Sequence, residues 1–315
     1  MSHERGRKQQ YESEWTKSTG THPFQHRLGV PPVTNWWRAD SEHRMRSPLA
    51  NPIPILRAIF VTIALLALIV SVRRNPVSAA DAAKPPVPVL IELFTSEGCS
   101  SCPPADALLA RLDTQPLPGV HAIVLSEHVT YWNQDGWHDP FSLDAMTDRQ
   151  RQYGFRFNLP DVYTPQAVID GAAQVVGSDA AKLSTAISQA IVAPKPELTI
   201  ANAQWSNDTM QFTVKGNPNP EANLFAALAE DSEQVSVLHG ENGGHTLHHV
   251  AVVRTLEQLG KASADAKGPM NGKILTLRLS KDFAKETTPL RLVVFLADRR
   301  NGHVLAVTEQ TIPRS

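Results

Sequence analysis

Apolar and polar positions divide this chain into three stretches. Residues 1–54 are polar, rich in Arg, His, Ser and Pro, and carry no sustained apolar period apart from the isolated pair Trp36 and Trp37. Such a stretch buries too little surface to offset the entropy of ordering, and it predicts a disordered tail. Ala58–Val72 is then apolar apart from Thr62 and Ser71. At fifteen residues it falls short of the ~20 that cross a bilayer comfortably, and it suits the core of a signal peptide. Val77-Ser78-Ala79-Ala80 supplies small residues where a signal peptidase would cut, whereas Arg73 and Arg74 oppose the usual orientation. Residues 55–80 are therefore read as a signal peptide or, if retained, a membrane anchor with residues 58–72 as the tether. Translation from Met45 would give the same segment a short basic lead through Arg46 and Arg57. Either outcome predicts a periplasmic or secreted protein, or one anchored to the inner membrane, with residues 81–87 as a linker.

From Pro88 onward the apolar runs are short and punctuated by turn residues. Pro88–Phe94 predicts a buried strand, Ala105–Leu112 a helix that tolerates Pro103 and Pro104 in its first turn, and His121–Ser126 a second strand. Residues 128–141 are dense in aromatics and turn formers and predict a loop; Ser142–Tyr153 predicts a helix. A strand ending in Asp170-Gly171, a return strand through Val175-Val176 and a helix opened by Ser178 and running to about Val192 complete this half. After Pro194-Lys195-Pro196 the pattern changes to seven short runs, Leu198–Trp205, Met210–Lys215, Asn223–Ala229, His249–Thr255, Lys273–Leu279, Leu290–Ala297 and Val304–Gln310. The expected architecture is a central mixed sheet flanked by helices over residues 88–193, then an all-β, sandwich-like accessory domain over 197–312.

Composition narrows the chemistry. Lys plus Arg (30) and Asp plus Glu (31) nearly cancel, which leaves no electrostatic footprint for nucleic acid. The two cysteines, Cys99 and Cys102, are too few and too close for a disulfide framework. A Cys-x-x-Cys pair where a strand ends and a helix begins reads as a thiol–disulfide redox site instead. The unpaired N–H groups of a helix start would stabilise a thiolate at Cys99, and Cys102 would be placed to attack a mixed disulfide formed there. Thr164-Pro165 is a candidate cis peptide whose neighbouring carbonyl can receive a substrate chain. Glu92, inside the first strand, is either a proton acceptor for the resolving cysteine or an acid turned towards a partner or solvent. Trp132 lies in an aromatic loop that either lines a substrate groove or packs on itself over the sheet. Residues 239–249 concentrate His and Gly; the spacing fits no zinc pattern, a polar loop is the plainer account, and copper held together with the thiolates is the metal alternative.

With these features the chain resembles the thioredoxin-like superfamily. More narrowly, Glu92-Leu93-Phe94-Thr95-Ser96-Glu97-Gly98-Cys99-Ser100-Ser101-Cys102-Pro103-Pro104-Ala105-Asp106, with Tyr163-Thr164-Pro165-Gln166 and Asp170-Gly171, is similar to the bacterial secreted family called domain of unknown function 1223, over residues ~86 to 312. The superfamily resemblance implies Cys99 as nucleophile, Cys102 as resolving thiol and Pro165 as a cis-proline facing them. Gly98, Tyr163, Thr164 and Trp132 are the expected substrate contacts. Gly98 stands where thioredoxin has tryptophan and Ser100-Ser101 where it has Gly-Pro, so the direction of electron flow stays open. The expected function is an exported thiol–disulfide oxidoreductase with protein thiols or disulfides of the cell envelope as partners and no cofactor beyond the redox-active pair. The alternative is a metallochaperone or a protein-interaction module of the envelope.

Overall fold

The computed structural model describes residues 85–313 apart from 116, 207, 218, 220, 263–267, 271 and 280–287. The expected tail, the leader or anchor with its tether, and most of the linker lie outside the described residues. Among the described residues no helix is long and apolar enough to cross a membrane.

The described residues form eleven strands and three helices. In chain order these are β1 (Val87–Thr95), α1 (Pro103–Thr114), β2 (Val120–His128), α2 (Asp144–Arg156), β3 (Gln166–Ile169), β4 (Ala173–Val176), α3 (Ala180–Ala190), β5 (Leu198–Ser206), β6 (Thr209–Gly216), β7 (Ala222–Ser236), β8 (Thr246–Lys261), β9 (Leu275–Arg278), β10 (Leu290–Asp298) and β11 (Val304–Ile312). Most of these stand within a few residues of the positions the apolar runs predict. β7 and β8 do not. They extend to 15 and 16 residues and form one long antiparallel hairpin, because the polar residues beyond each apolar run keep pairing, Glu233 with His249 and Ser236 with Thr246.

That extension overturns the expected fold class. The protein is mostly β, with one mixed sheet of eight strands in the order β11-β10-β7-β8-β2-β1-β3-β4 and a second sheet of three, β5-β6-β9. A helix-flanked, thioredoxin-like α/β unit followed by its own sandwich is not what forms. β8 instead runs parallel to β2 through the pair Ser126 and Val252, and joins strands from both halves of the sequence into one sheet. β1 and β2 are parallel and β1 and β3 antiparallel.

Side-chain alternation explains why the joined sheet is stable. Along β10, Val293, Phe295 and Ala297 enter a core shared with β1, β2, α1 and α3, while Leu290, Leu292, Val294 and Leu296 enter a second core against the three-stranded sheet. β7 divides the same way, with Ala227 and Ala229 on one face and Leu224, Ala226 and Leu228 on the other. A strand with period-two faces that are both apolar is satisfied only when covered on both sides.

Candidate active site

β1 ends at Thr95, and the chain turns through Ser96-Glu97-Gly98 before α1 begins at Pro103. Cys99 and Cys102 form a disulfide inside this turn. The Cys102 amide donates to the Cys99 carbonyl, and the Ala105 and Asp106 amides donate to the Cys102 carbonyl at 2.8 and 3.1 Å. Cys102, rather than Cys99, therefore caps the helix, and Cys99 lies in the turn ahead of it. Pro103 and Pro104 sit at the first helical positions, where a missing N–H costs nothing.

The Thr164–Pro165 peptide is cis, as its position suggested. Two contacts bring it to the cysteine turn. The Trp132 indole N–H donates to Thr164 Oγ1 at 2.7 Å, and a Cβ placed on Gly98 would lie 3.2 Å from Trp132 Cβ, so Trp132 spans from Gly98 to Thr164. On the other side, the Gly177 amide donates to the Pro165 carbonyl, and a Cβ on Gly177 would meet Leu93 at 2.7 Å, Ala105 at 3.1 Å and Pro165 at 3.2 Å. Only glycine lets the proline segment pack this closely on the first turn of α1. The aromatic loop is thus a packed bridge rather than an open groove. The Tyr163 hydroxyl donates to the Gln174 side chain, and the Tyr163 carbonyl accepts from the Gln150 side-chain amide.

Glu92 is engaged elsewhere. Its Oε1 accepts from Arg149 Nε at 2.6 Å and its Oε2 accepts from the Tyr153 hydroxyl at 2.6 Å. The Arg149 guanidinium in turn lies over the rings of Tyr153, Phe225 and Phe295. Burial, with Glu92 nearby, pushes the Glu127 carboxyl well above its ordinary range despite Arg149. This is a buried ion pair under the sheet, not a free proton acceptor.

The acids beside the disulfide are Glu97 and Asp106, both within the cysteine motif but without a role assigned from sequence. Glu97 accepts from the Trp137 indole at 2.7 Å, and its Oε1 lies 3.5 Å from His249 Nε2. Asp106 accepts from the Thr95 hydroxyl at 2.9 Å, and its Oδ2 lies 3.9 Å from His249 Nδ1. His128 binds Asp139 at 2.7 Å, and the His128 and His249 rings meet edge to face at 4.7 Å between centroids. Thr95, Glu97, Asp106, His128, Asp139 and His249 are buried and Trp137 is half-buried, and neither nitrogen of His249 has an aligned hydrogen bond. Burial raises the Asp106 carboxyl above its ordinary value, although His249, His128 and the Thr95 hydroxyl pull it down. Burial opposes the charged form of His249, but Glu97, Asp106 and Asp139 together outweigh it and raise this imidazole. Burial also opposes the Asp139 charge, yet His128 and the amides of Glu97 and Phe141 hold that carboxyl down at about 2.

The tip of the β7–β8 hairpin closes over this assembly. Glu241 Oε2 accepts from the Ser100 hydroxyl at 2.7 Å and the Ser100 amide at 3.1 Å, and the Asn242 side-chain amide donates to the carbonyls of Glu97 and Cys99 at 2.8 and 3.0 Å. Cys99 and Cys102 are 0 % exposed, while Ser100 and Ser101 between them reach the surface. The His-rich segment therefore supplies a cover and one buried imidazole. Among the described residues no group of three or more His, Cys, Asp or Glu is arranged to hold a metal ion. Glu241 and Asn242 carry no sequence signal that ties them to cysteines some 140 residues earlier, and His249 is tied to them only through the copper alternative.

The sequence model of a family described as a protein of unknown function, DUF1223, matches residues 90–297. Among solved structures, protein AGR_C_4864 from Agrobacterium tumefaciens is similar at 23 % identity and a TM-score of 0.52, covering 73 % of this chain and 96 % of its own. HBP35 of Porphyromonas gingivalis is similar at 13 % identity and a TM-score of 0.44, covering 73 % and 76 %. No curated protein matches the chain.

Proposed function

The chain belongs to the DUF1223 family, and from that premise we propose that it is an exported thiol–disulfide oxidoreductase working through the Cys99–Cys102 pair. One observation carries the reading: the disulfide occupies a turn between a strand and a helix, beside the Thr164-Pro165 segment that Trp132 and Gly177 hold against that turn. A partner thiolate attacks Cys99, the S–S bond breaks, and its electron pair leaves on the Cys102 sulfur. A second partner thiolate then attacks the partner sulfur of the mixed disulfide and expels Cys99. The partner gains a disulfide and this protein a dithiol; the reverse sequence reduces a partner disulfide. Protein thiols or disulfides of the cell envelope are the proposed partners, because the apolar leader in the sequence directs the folded part out of the cytoplasm, where such pairs persist oxidised.

The test is turnover of a protein dithiol or disulfide by the full-length chain. Cys99→Ser should abolish it and Cys102→Ser should trap a mixed disulfide. A folded wild-type protein inert in both directions removes the proposal.

The complete burial of both cysteines under the hairpin tip favours a second reading, an interaction module in which the pair is a structural clip. A disulfide closing so short a loop contributes about 2 kcal/mol by the chain-entropy argument. In that case the double serine variant would lose about this stability, and the wild type would show no exchange.

A further inference from the structure

A dithiol that closes a mixed disulfide must lose a proton from its second thiol, and a fully buried thiol has no water at hand to take it. Cys102 and Asp106 stand four residues apart at the start of α1, joined by the hydrogen bond from the Asp106 amide to the Cys102 carbonyl. Side chains at this spacing share one helix face with Cβ atoms about 5–6 Å apart, and both are buried here. Thr95 fixes one carboxylate oxygen of Asp106, and His249 from β8 faces the other. We propose that Asp106 accepts the proton of Cys102 when that thiol attacks a mixed disulfide at Cys99, and that His249 is the positioning residue that sets the carboxyl's charge. The proposal rests on the thiol–disulfide reading.

The step balances with oxidised glutathione as oxidant. The Cys99 thiolate attacks one glutathione sulfur and releases the first glutathione thiolate. The Cys102 S–H gives its proton to the Asp106 carboxylate, and the Cys102 sulfur attacks Cys99, forming the protein disulfide and expelling the second glutathione, which is protonated by solvent. Glutathione disulfide gains two electrons and the protein dithiol loses two.

The groups that surround Asp106 and His249 are Thr95 from β1, Glu97 from the cysteine turn, His128 from β2 and Asp139 from the loop before α2. A raised carboxyl suits the task, because its carboxylate is a stronger base for Cys102 than an ordinary one. An imidazolium at His249 lowers the same carboxyl and keeps it available as a base.

Reduced full-length chain is mixed with oxidised glutathione across a pH series, and the second glutathione released reports the attack by Cys102. Asp106→Asn should slow that release at least tenfold at neutral pH and restore it only near the ordinary thiol range, ~8.5, where Cys102 ionises unaided. His249→Gln should move the profile to higher pH while preserving its maximal rate, a change that loss of packing alone would not produce. An Asp106→Asn profile equal to the wild type, with Cys99→Ser still inactive, overturns the relay and leaves the oxidoreductase standing. A folded wild type that never forms the mixed disulfide ends both. Should Asp106→Asn fail to fold, an unshifted profile in His249→Gln overturns the relay.

Discussion

Glu241 accepts two hydrogen bonds from Ser100, one from the amide and one from the hydroxyl, and thereby fastens the tip of a hairpin to the loop between two cysteines 141 positions away in sequence. The latch is at the surface, whereas what it covers is fully buried. If opening of this tip limits access, Glu241→Ala should speed reduction of the Cys99–Cys102 bond by a water-soluble phosphine roughly tenfold, the effect of losing ~1.4 kcal/mol of latch energy. Alkylation and mass counting of freed thiols over time measures it. An unchanged rate would show that the hairpin is not the barrier.

Two aspartates in one buried cluster should act on stability with opposite signs. The Asp139 carboxyl titrates at about 2 in the folded protein, below its ordinary 3.8. A lowered carboxyl contributes stability that is full above the ordinary value and lost as pH falls from ~4 towards ~2, on the order of 2 kcal/mol. The Asp106 carboxyl is raised, so the folded state disfavours its charge and is weakened once pH exceeds the raised value. Urea unfolding at pH 7 should give a lower midpoint for Asp139→Asn and an equal or higher one for Asp106→Asn. A lower midpoint for both would contradict the assigned signs.

The Arg149–Glu92 pair should matter through what its loss leaves behind. Arg149→Met strands the Glu92 carboxylate beside Glu127 in the interior, a change that costs about 3–5 kcal/mol. Adding Glu92→Leu removes the stranded charge and should recover most of that loss. Denaturant midpoints of the single and double variants decide it, and a double variant no better than Arg149→Met alone counts against the account.

Trp132 should prove structural as well as functional. Trp132→Phe keeps the ring contact near Gly98 but loses the hydrogen bond to Thr164, at a cost of ~1 kcal/mol. Gly98→Ala places a Cβ 3.2 Å from both Trp132 Cβ and its carbonyl oxygen, so the loop must give way by a few tenths of an ångström. Thermal melts should show both losses, and the phosphine reduction rate should rise only where the bridge between residues 98 and 164 loosens.

The sequence by itself determined the local pieces. The strand before the cysteines, the helix after them with its prolines in the first turn and the positive-φ turn at Asp170-Gly171 follow from short-range sterics, apolar period and turn chemistry, and all are present; Thr164-Pro165 was legible only as a candidate cis peptide. The runs that form β5–β11 were legible for the same reason. What only the tertiary structure decided is how those runs pair. Period-two patterning tells which face of a strand is apolar, but β7 and β10 are apolar on both faces, and nothing local distinguishes a strand of a separate sandwich from one added beside β2. The same long-range pairing carried the polar ends of β7 and β8 past their apolar cores and set Glu241, Asn242 and His249 over the disulfide. Glu92 was singled out as a buried acid near the cysteines, yet strand alternation and Arg149 gave it a structural partner, while Asp106, one helical turn beyond Cys102, received the histidine. Burial could be read along the chain, but that Glu97 and Asp106 would meet His249 depended on a strand from its far end.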